Sequence, residues 1–233
     1  MEIEKFKQSV QRVGANAGEL ILQAVDKAIQ ARWEPAGERA ARATGVTNAE
    51  KISEVRKAFC TELGIAGAAA GGVAAVPGVG TGASLATAAG DITWTTVRLT
   101  DLILTIARIH GHDSDDIAER RLWVLAVLGG SANATKIAEK LAAEMGKGLG
   151  KKAVAAIPRT AISRLNAAMG RTIVTKYGTK RGAVQLGKAL PFGIGAIVGG
   201  GINYGTVRAV TRTANKFFSL LPGPEPDFAQ GTR

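Results

Sequence analysis

The chain has 233 residues, 46% of them hydrophobic and 21% charged, with 30 Lys and Arg against 19 Asp and Glu and a net charge of +11. With a mean hydropathy of +0.10 this balance excludes a disordered polyelectrolyte and an ordinary polytopic membrane protein. The single cysteine, Cys60, excludes an internal disulfide and zinc sites built on several thiolates, which points to a reducing compartment.

The charge is unevenly placed. Residues 1–62 carry ten Lys and Arg and nine Asp and Glu, residues 63–145 six and eight, and residues 146–233 fourteen and two. Between Glu144 and Glu225 there are thirteen basic residues and no acidic one. Such a one-sided distribution creates a field that anionic partners feel. The N-terminal run MEIEKFKQSVQRV mixes charged and apolar residues and lacks the uninterrupted apolar core and cleavage site of a secretion signal. The expected location is cytoplasmic, with peripheral attachment at a membrane left open.

The first predicted element is an amphipathic helix over residues 1–34. Ile3, Phe6, Val10, Val13, Ala17, Leu20 and Ala24 recur at spacings of three and four, and Val25 and Ile29 widen the stripe. The widened face favours packing on the rest of the fold over a free coiled coil, and Pro35 is expected to end the helix. Residues 35–47 mix Pro, Gly, Thr and Arg and read as a connection. Thr47 with Glu50 has the pattern of a capping box, and Ile52, Val55, Phe59 and Leu63 then lie on one face of a second helix.

Residues 63–90 carry no charge over 28 positions, of which eighteen are Gly or Ala, and Pro77-Gly78-Val79-Gly80 interrupts them. The arm from Leu63 to Val76 would rise about 21 Å as helix, short of the roughly 30 Å hydrocarbon core, so a hairpin is expected in preference to a span. A long helix over 82–109 follows. At 100° per residue its Asp91, Arg98, Asp101 and Arg108 fall within about 100° of arc, as one polar stripe that a lipid-facing helix would not carry.

His110 to Asp116 reads as a turn, with Asp113 and Ser114 as expected caps of a helix running through Trp123 to Gly129-Gly130. Ser131 opens another, with Ile137, Leu141, Met145 and Leu149 on one face. The basic third breaks at Pro158 and resumes with Ile162, Leu165, Met169 and Ile173 on a common face. A second uncharged stretch, Ala189 to Val207, holds six glycines over 19 residues. The proline-containing tail, residues 220–233, is expected to be disordered. No segment shows strand alternation bounded by turns. The expected fold is all-α, a compact multi-helix bundle with two glycine-rich apolar helical hairpins.

Three blocks in this order resemble the EcsC protein family: GIAGAAAGGVAAVPGVGTGASLATAAGDITW, LTIARIHGHDSDDIAERRLWVLAVLGG and LPFGIGAIVGGGINYGTVRAVTRTANKFF. The resemblance covers roughly residues 50–218, and gives the domain boundaries 1–34 for the N-terminal helix, 48–219 for the family-like body and 220–233 for the tail. It implies no activity, cofactor or catalytic residue, and the family's association with a transporter operon favours work near a membrane.

The residues offer few competing sites. Gly67 with Gly71, Gly195 with Gly199, and Gly201 with Gly205 each form G-x-x-x-G, which permits close helix packing in a soluble core or in a bilayer. Gly78-Val79-Gly80 lacks the Gly-Lys-Ser/Thr ending of a phosphate loop and no strand precedes it, so no nucleotide cofactor is expected. His110, His112, Asp113, Asp115 and Asp116 could ligate a divalent ion, but their spacing fits neither zinc motifs nor an EF-hand, and capping is the preferred reading. No metal and no catalytic residue is assigned, and Cys60 is expected to be buried.

Few aromatics and no zinc-finger or helix-turn-helix pattern in the basic third argue against nucleic acid. The expected function is a non-enzymatic helical protein associating peripherally with an anionic lipid surface. Lys147, Lys151, Lys152, Arg159, Arg164, Arg171, Lys176, Lys180, Arg181 and Lys188 would supply attraction, and the glycine-rich hairpins close packing or shallow insertion. The alternative is a soluble scaffold that binds a protein partner through its N-terminal stripe or basic face.

Overall fold

The computed structural model describes residues 19–73, 81–130, 135, 136, 139 and 194–221; side chains are described within 19–66, 93–130 and 203–221 and at 135, 136 and 139. Six helices carry the fold among these residues: α1 over 19–31, α2 Trp33–Arg42, α3 Asn48–Val73, α4 Thr81–Ile109, α5 Ile117–Leu128 and α6 Ile194–Leu220. The described residues include no strand, and the helices pack as a compact all-α bundle.

The expected stop at Pro35 and the connection over 35–47 are both corrected. The chain bends at Arg32, whose N–H still donates to Ala28 O at 2.8 Å while its own carbonyl accepts from Ala36 N–H at 2.9 Å. Pro35 then falls in the first turn of α2, where a missing N–H removes no intrahelical bond. The connection therefore shrinks to residues 43–47.

At the start of α3 the capping box forms as its pattern suggests. Glu50 N–H donates to Thr47 Oγ1 at 3.2 Å, and the Glu50 carboxylate accepts from the N–H groups of Thr47 at 3.0 Å and Val46 at 2.9 Å. These bonds, the Thr47 backbone N–H foremost, hold the Glu50 carboxyl below its usual range. Gly45 lets the chain pass close by: a Cβ there would stand 2.6 Å from Glu50 Cβ and Lys51 N.

The core draws on every described helix. Ile21, Val25 and Ile29 of α1 join Ile52, Val55, Phe59 and Leu63 of α3 in one buried cluster, so the N-terminal apolar stripe, as far as it is described, is covered. α4 is buried on all sides from Leu99 to Ala107, and α5 from Leu122 to Leu128. Helix segments buried all round belong at a bundle centre, here with Asp101 as a buried charge. Val207, Val210, Ala214, Phe217 and Phe218 bring α6 into the same cluster.

Two contacts fix how the long helices run. Asn203 Nδ2 donates to Leu63 O at 3.1 Å, and Arg98 pairs with Glu62. α3 ends and α4 begins across residues 74–80, so those two helices are antiparallel. α6 shares its most extensive contact with α3. His110 and His112, at the C-terminal end of α4, meet Asn215 and Phe218 near the C-terminal end of α6, so α6 runs parallel to α4 and antiparallel to α3. Hence the uncharged C-terminal part of α3 and the uncharged N-terminal parts of α4 and α6 meet at one end of the bundle. The first glycine-rich stretch is thus helical over 63–73 and 81–90, whereas of the second only residues from Ile194 onward are described.

Candidate functional site

The polar stripe of α4 resolves into two separate clusters. Asp101 is fully buried, and its carboxylate accepts from Arg39 of α2 and from Arg98, one turn back, at 2.6 Å. Arg98 also reaches Glu62 of α3, and both guanidinium groups lie over the Phe59 ring, Arg39 at 5.1 Å and Arg98 at 4.8 Å from its centroid. The chain Glu62, Arg98, Asp101, Arg39 ties α2, α3 and α4 around one aromatic ring. Cation–ring contacts of this kind add to the ion pairs. Asp101 thus joins α2, α3 and α4 through buried, paired charge. The side chain of Asp91 lies outside the described residues.

Arg108, the last member of the stripe, turns instead to Asp113 and lies 4.9 Å over Trp33, whose ring also receives Arg120 at 4.3 Å. This corrects the caps expected in the turn. Asp113 is occupied by Arg108, and Asp116 caps α5 by accepting from Ala118 N–H at 2.8 Å. Ser114 supports it by accepting from Asp116 N–H at 3.2 Å and donating to Glu119. Burial pushes the Glu119 carboxyl up.

The two histidines of the turn hold the end of α6. The carbonyl of Phe218 accepts from His112 Nε2 at 3.1 Å, and His110 Nε2 meets Asn215 Oδ1 at 2.9 Å. Trp123 packs edge-on against Phe218 at 5.6 Å between centroids, and His112 lies 5.4 Å from the same ring. Burial pushes the His112 imidazole below its ordinary value of 6.5. Among the described residues no three His, Cys, Asp or Glu side chains converge as metal ligands would. The Cys60 thiol is buried and pushed up by that burial, which leaves it a poor nucleophile.

Six large hydrophobic side chains are exposed among the described residues: Val46, Ile117 and Leu220 lie just before α3, at the start of α5 and at the end of α6, and the other three lie toward the uncharged end. Ile65 of α3 is 67% exposed, Trp94 of α4 37% and Tyr204 of α6 45%. The Asn203–Leu63 and Arg98–Glu62 contacts place the three within about one helical turn of a common level. From Tyr204 an exposed row runs along α6 through Arg208, Arg212 and Lys216, each four residues from the last, with the Arg208 guanidinium 5.8 Å from the Tyr204 centroid. The arginines of α4 and α5, Arg98, Arg108, Arg120 and Arg121, each hold a carboxylate. Among the described residues the three α6 cations pair with none.

All ten nominated cations, Lys147 to Lys188, lie outside the described residues. So do the surroundings of Gly67, Gly71, Gly195, Gly199 and Gly201, whose backbones are helical in α3 and α6. Gly205 is exposed beside Tyr204, and a Cβ there would meet nothing within 4 Å among the described residues. Sequence reasoning counted Arg208, Arg212 and Lys216 without singling them out. Their recurrence every fourth residue without an intervening acid was the available signal.

Two expectations follow. Removing one partner of a buried ion pair strands the others, so Asp101→Ala should lower unfolding free energy by about 3–5 kcal/mol in urea titrations, whereas Glu38→Ala, on an exposed pair, should change it by less than about 1 kcal/mol. Because His112 titrates lower folded than unfolded, the unfolded chain binds the extra proton and stability falls as pH drops through and below 6.5. Between pH 7.5 and 5.5 (about the window this linkage covers) the wild type should lose more stability than His112→Gln; equal losses would remove the assignment.

Among the described residues no helix is long and apolar enough to cross a membrane. Comparison with curated proteins and with solved structures gives no match. The sequence pattern of the EcsC protein family matches residues 4–220, which takes in the N-terminal helix as well as the body, and the chain belongs to that family.

Proposed function

We propose that this is a non-enzymatic protein that associates peripherally with anionic membrane surfaces, seating the uncharged end of the bundle at the interface. The observation that carries the reading is the convergence of three helix arms, charged only at Asp91, beyond a level marked by exposed Ile65, Trp94 and Tyr204, with Arg208 one turn behind. Trp and Tyr place an apolar ring in the lipid boundary and a polar edge in water, and Arg adds attraction to anionic headgroups. Asp91, within the α4 arm, makes deep burial costly, which favours shallow seating. The basic residues from Lys147 to Lys188 supply long-range attraction in this reading.

The competing reading, a scaffold that binds a protein through its N-terminal stripe or basic face, has less support on the side of the stripe. The described part of that stripe is already packed into the core.

Trp94 provides the test, because Trp33 and Trp123 are buried at 6% and 2% exposure. Adding phosphatidylcholine vesicles that contain phosphatidylglycerol should shift tryptophan emission to the blue, and Trp94→Phe should abolish the shift while co-sedimentation persists. Arg208→Gln should weaken partitioning by about 1 kcal/mol. Failure to co-sediment with these vesicles at physiological salt would overturn the proposal.

A further inference from the structure

On the flank of α6, Ala209, Arg212, Thr213 and Lys216 line one side of an open cleft of about 340 Å³, and Thr135 lines the other. Among the described residues the lining side chains offer a guanidinium, an ammonium and two hydroxyls, and no carboxylate. Arg212 and Lys216, four residues apart on a helix, stand about 5–6 Å apart at Cβ, close enough for both heads to reach one anion. Like charges at this spacing repel in its absence. Neither forms an ion pair among the described residues, in contrast to the arginines of α4 and α5.

We infer that this cleft binds a phosphomonoester. The Arg212 fork takes two phosphate oxygens, Lys216 supplies a point charge, and the hydroxyls of Thr135 and Thr213 donate to the remaining acceptors. The volume lies at the small end of ligand sites and admits a phosphate with a short attached group. Arg212 lies about 12 Å along α6 from Tyr204, eight residues at 1.5 Å each. The cleft is therefore set back from the end seated at the membrane, which favours a soluble phosphate ester over a short lipid headgroup. This site stands independently of the membrane reading.

Glycerol 3-phosphate is the probe for the soluble arm, followed through the arginine Nε–Hε resonances of the full chain. The Arg212 signal should shift with saturation, the Arg42 signal should not, and glycerol with sodium chloride at equal ionic strength should shift neither. Thr135→Val with Thr213→Val, which keeps side-chain shape, should weaken the response about tenfold; Lys216→Gln, at an exposed position, should do likewise. In the lipid arm, vesicles carrying phosphatidic acid are compared with phosphatidylglycerol vesicles of matched surface potential. A preference for phosphatidic acid that the double valine variant loses identifies a headgroup as the source; a saturating response to glycerol phosphate with no lipid preference identifies a soluble ester. Absence of both, or a response unchanged in the valine and Lys216→Gln variants, overturns the assignment. Loss of all vesicle binding with the glycerol phosphate response retained overturns only the membrane reading.

Discussion

The buried carboxylate of Asp101 constrains the rest of this fold. An ionised group with no exposed surface in the middle of a helix is tolerable only if opposite charge meets it, and here two guanidinium groups do so from different helices. Meeting that requirement fixes where α2 and α3 lie relative to α4. Arg39 must reach inward from α2, Arg98 must bridge to Glu62 on α3, and the Phe59 ring fills the space between the two cations. The apolar contacts of Leu99 to Ala107 supply the bulk of the stabilisation, but they are not directional. The ion pairs select one register among several apolar ones.

The same logic separates two populations of positive charge. Arginines at helix–helix contacts are matched one by one: Arg108 with Asp113, Arg120 with Asp115, and Arg121 with Asp26, which also ties α5 to α1. The cations of α6 face outward without such matches among the described residues, beside an uncharged helical end that carries exposed Trp94 and Tyr204. Matched pairs, whether buried as at Asp101 or exposed as at Asp26, leave little external field, whereas unmatched surface cations are available to an outside anion. The membrane reading and the phosphate cleft draw on different parts of the α6 row, Arg208 near its uncharged end and Arg212 with Lys216 farther along.

Much of this was legible before any coordinates. The spacing of Ile52, Val55, Phe59 and Leu63 marks a buried face of α3, Thr47 with Glu50 marks its start, and the 82–109 periodicity gives α4 to within one residue. These signals are local, so the sequence carries them directly. Pro35 misleads because proline both breaks helix interiors and fits first turns, and a bend at Arg32 is invisible to periodicity. The cap of α5 falls on Asp116, the residue directly before Ile117, while Asp113 pairs with Arg108 five residues back. Arc arithmetic grouped Arg108 with Asp101, yet partners on α2, α3 and the following turn divide them, which no single-helix argument could show.

The division between internal and outward charge is tested most directly by one salt titration read two ways. Sodium chloride raised from roughly 0.05 to 1 M shortens the screening length from about 14 to 3 Å, weakening exposed interactions far more than buried ones. The account expects the fraction bound to phosphatidylglycerol vesicles to fall steeply across this range while the thermal midpoint of the free protein stays nearly constant. A midpoint that falls in step with release, or binding indifferent to salt, would contradict it.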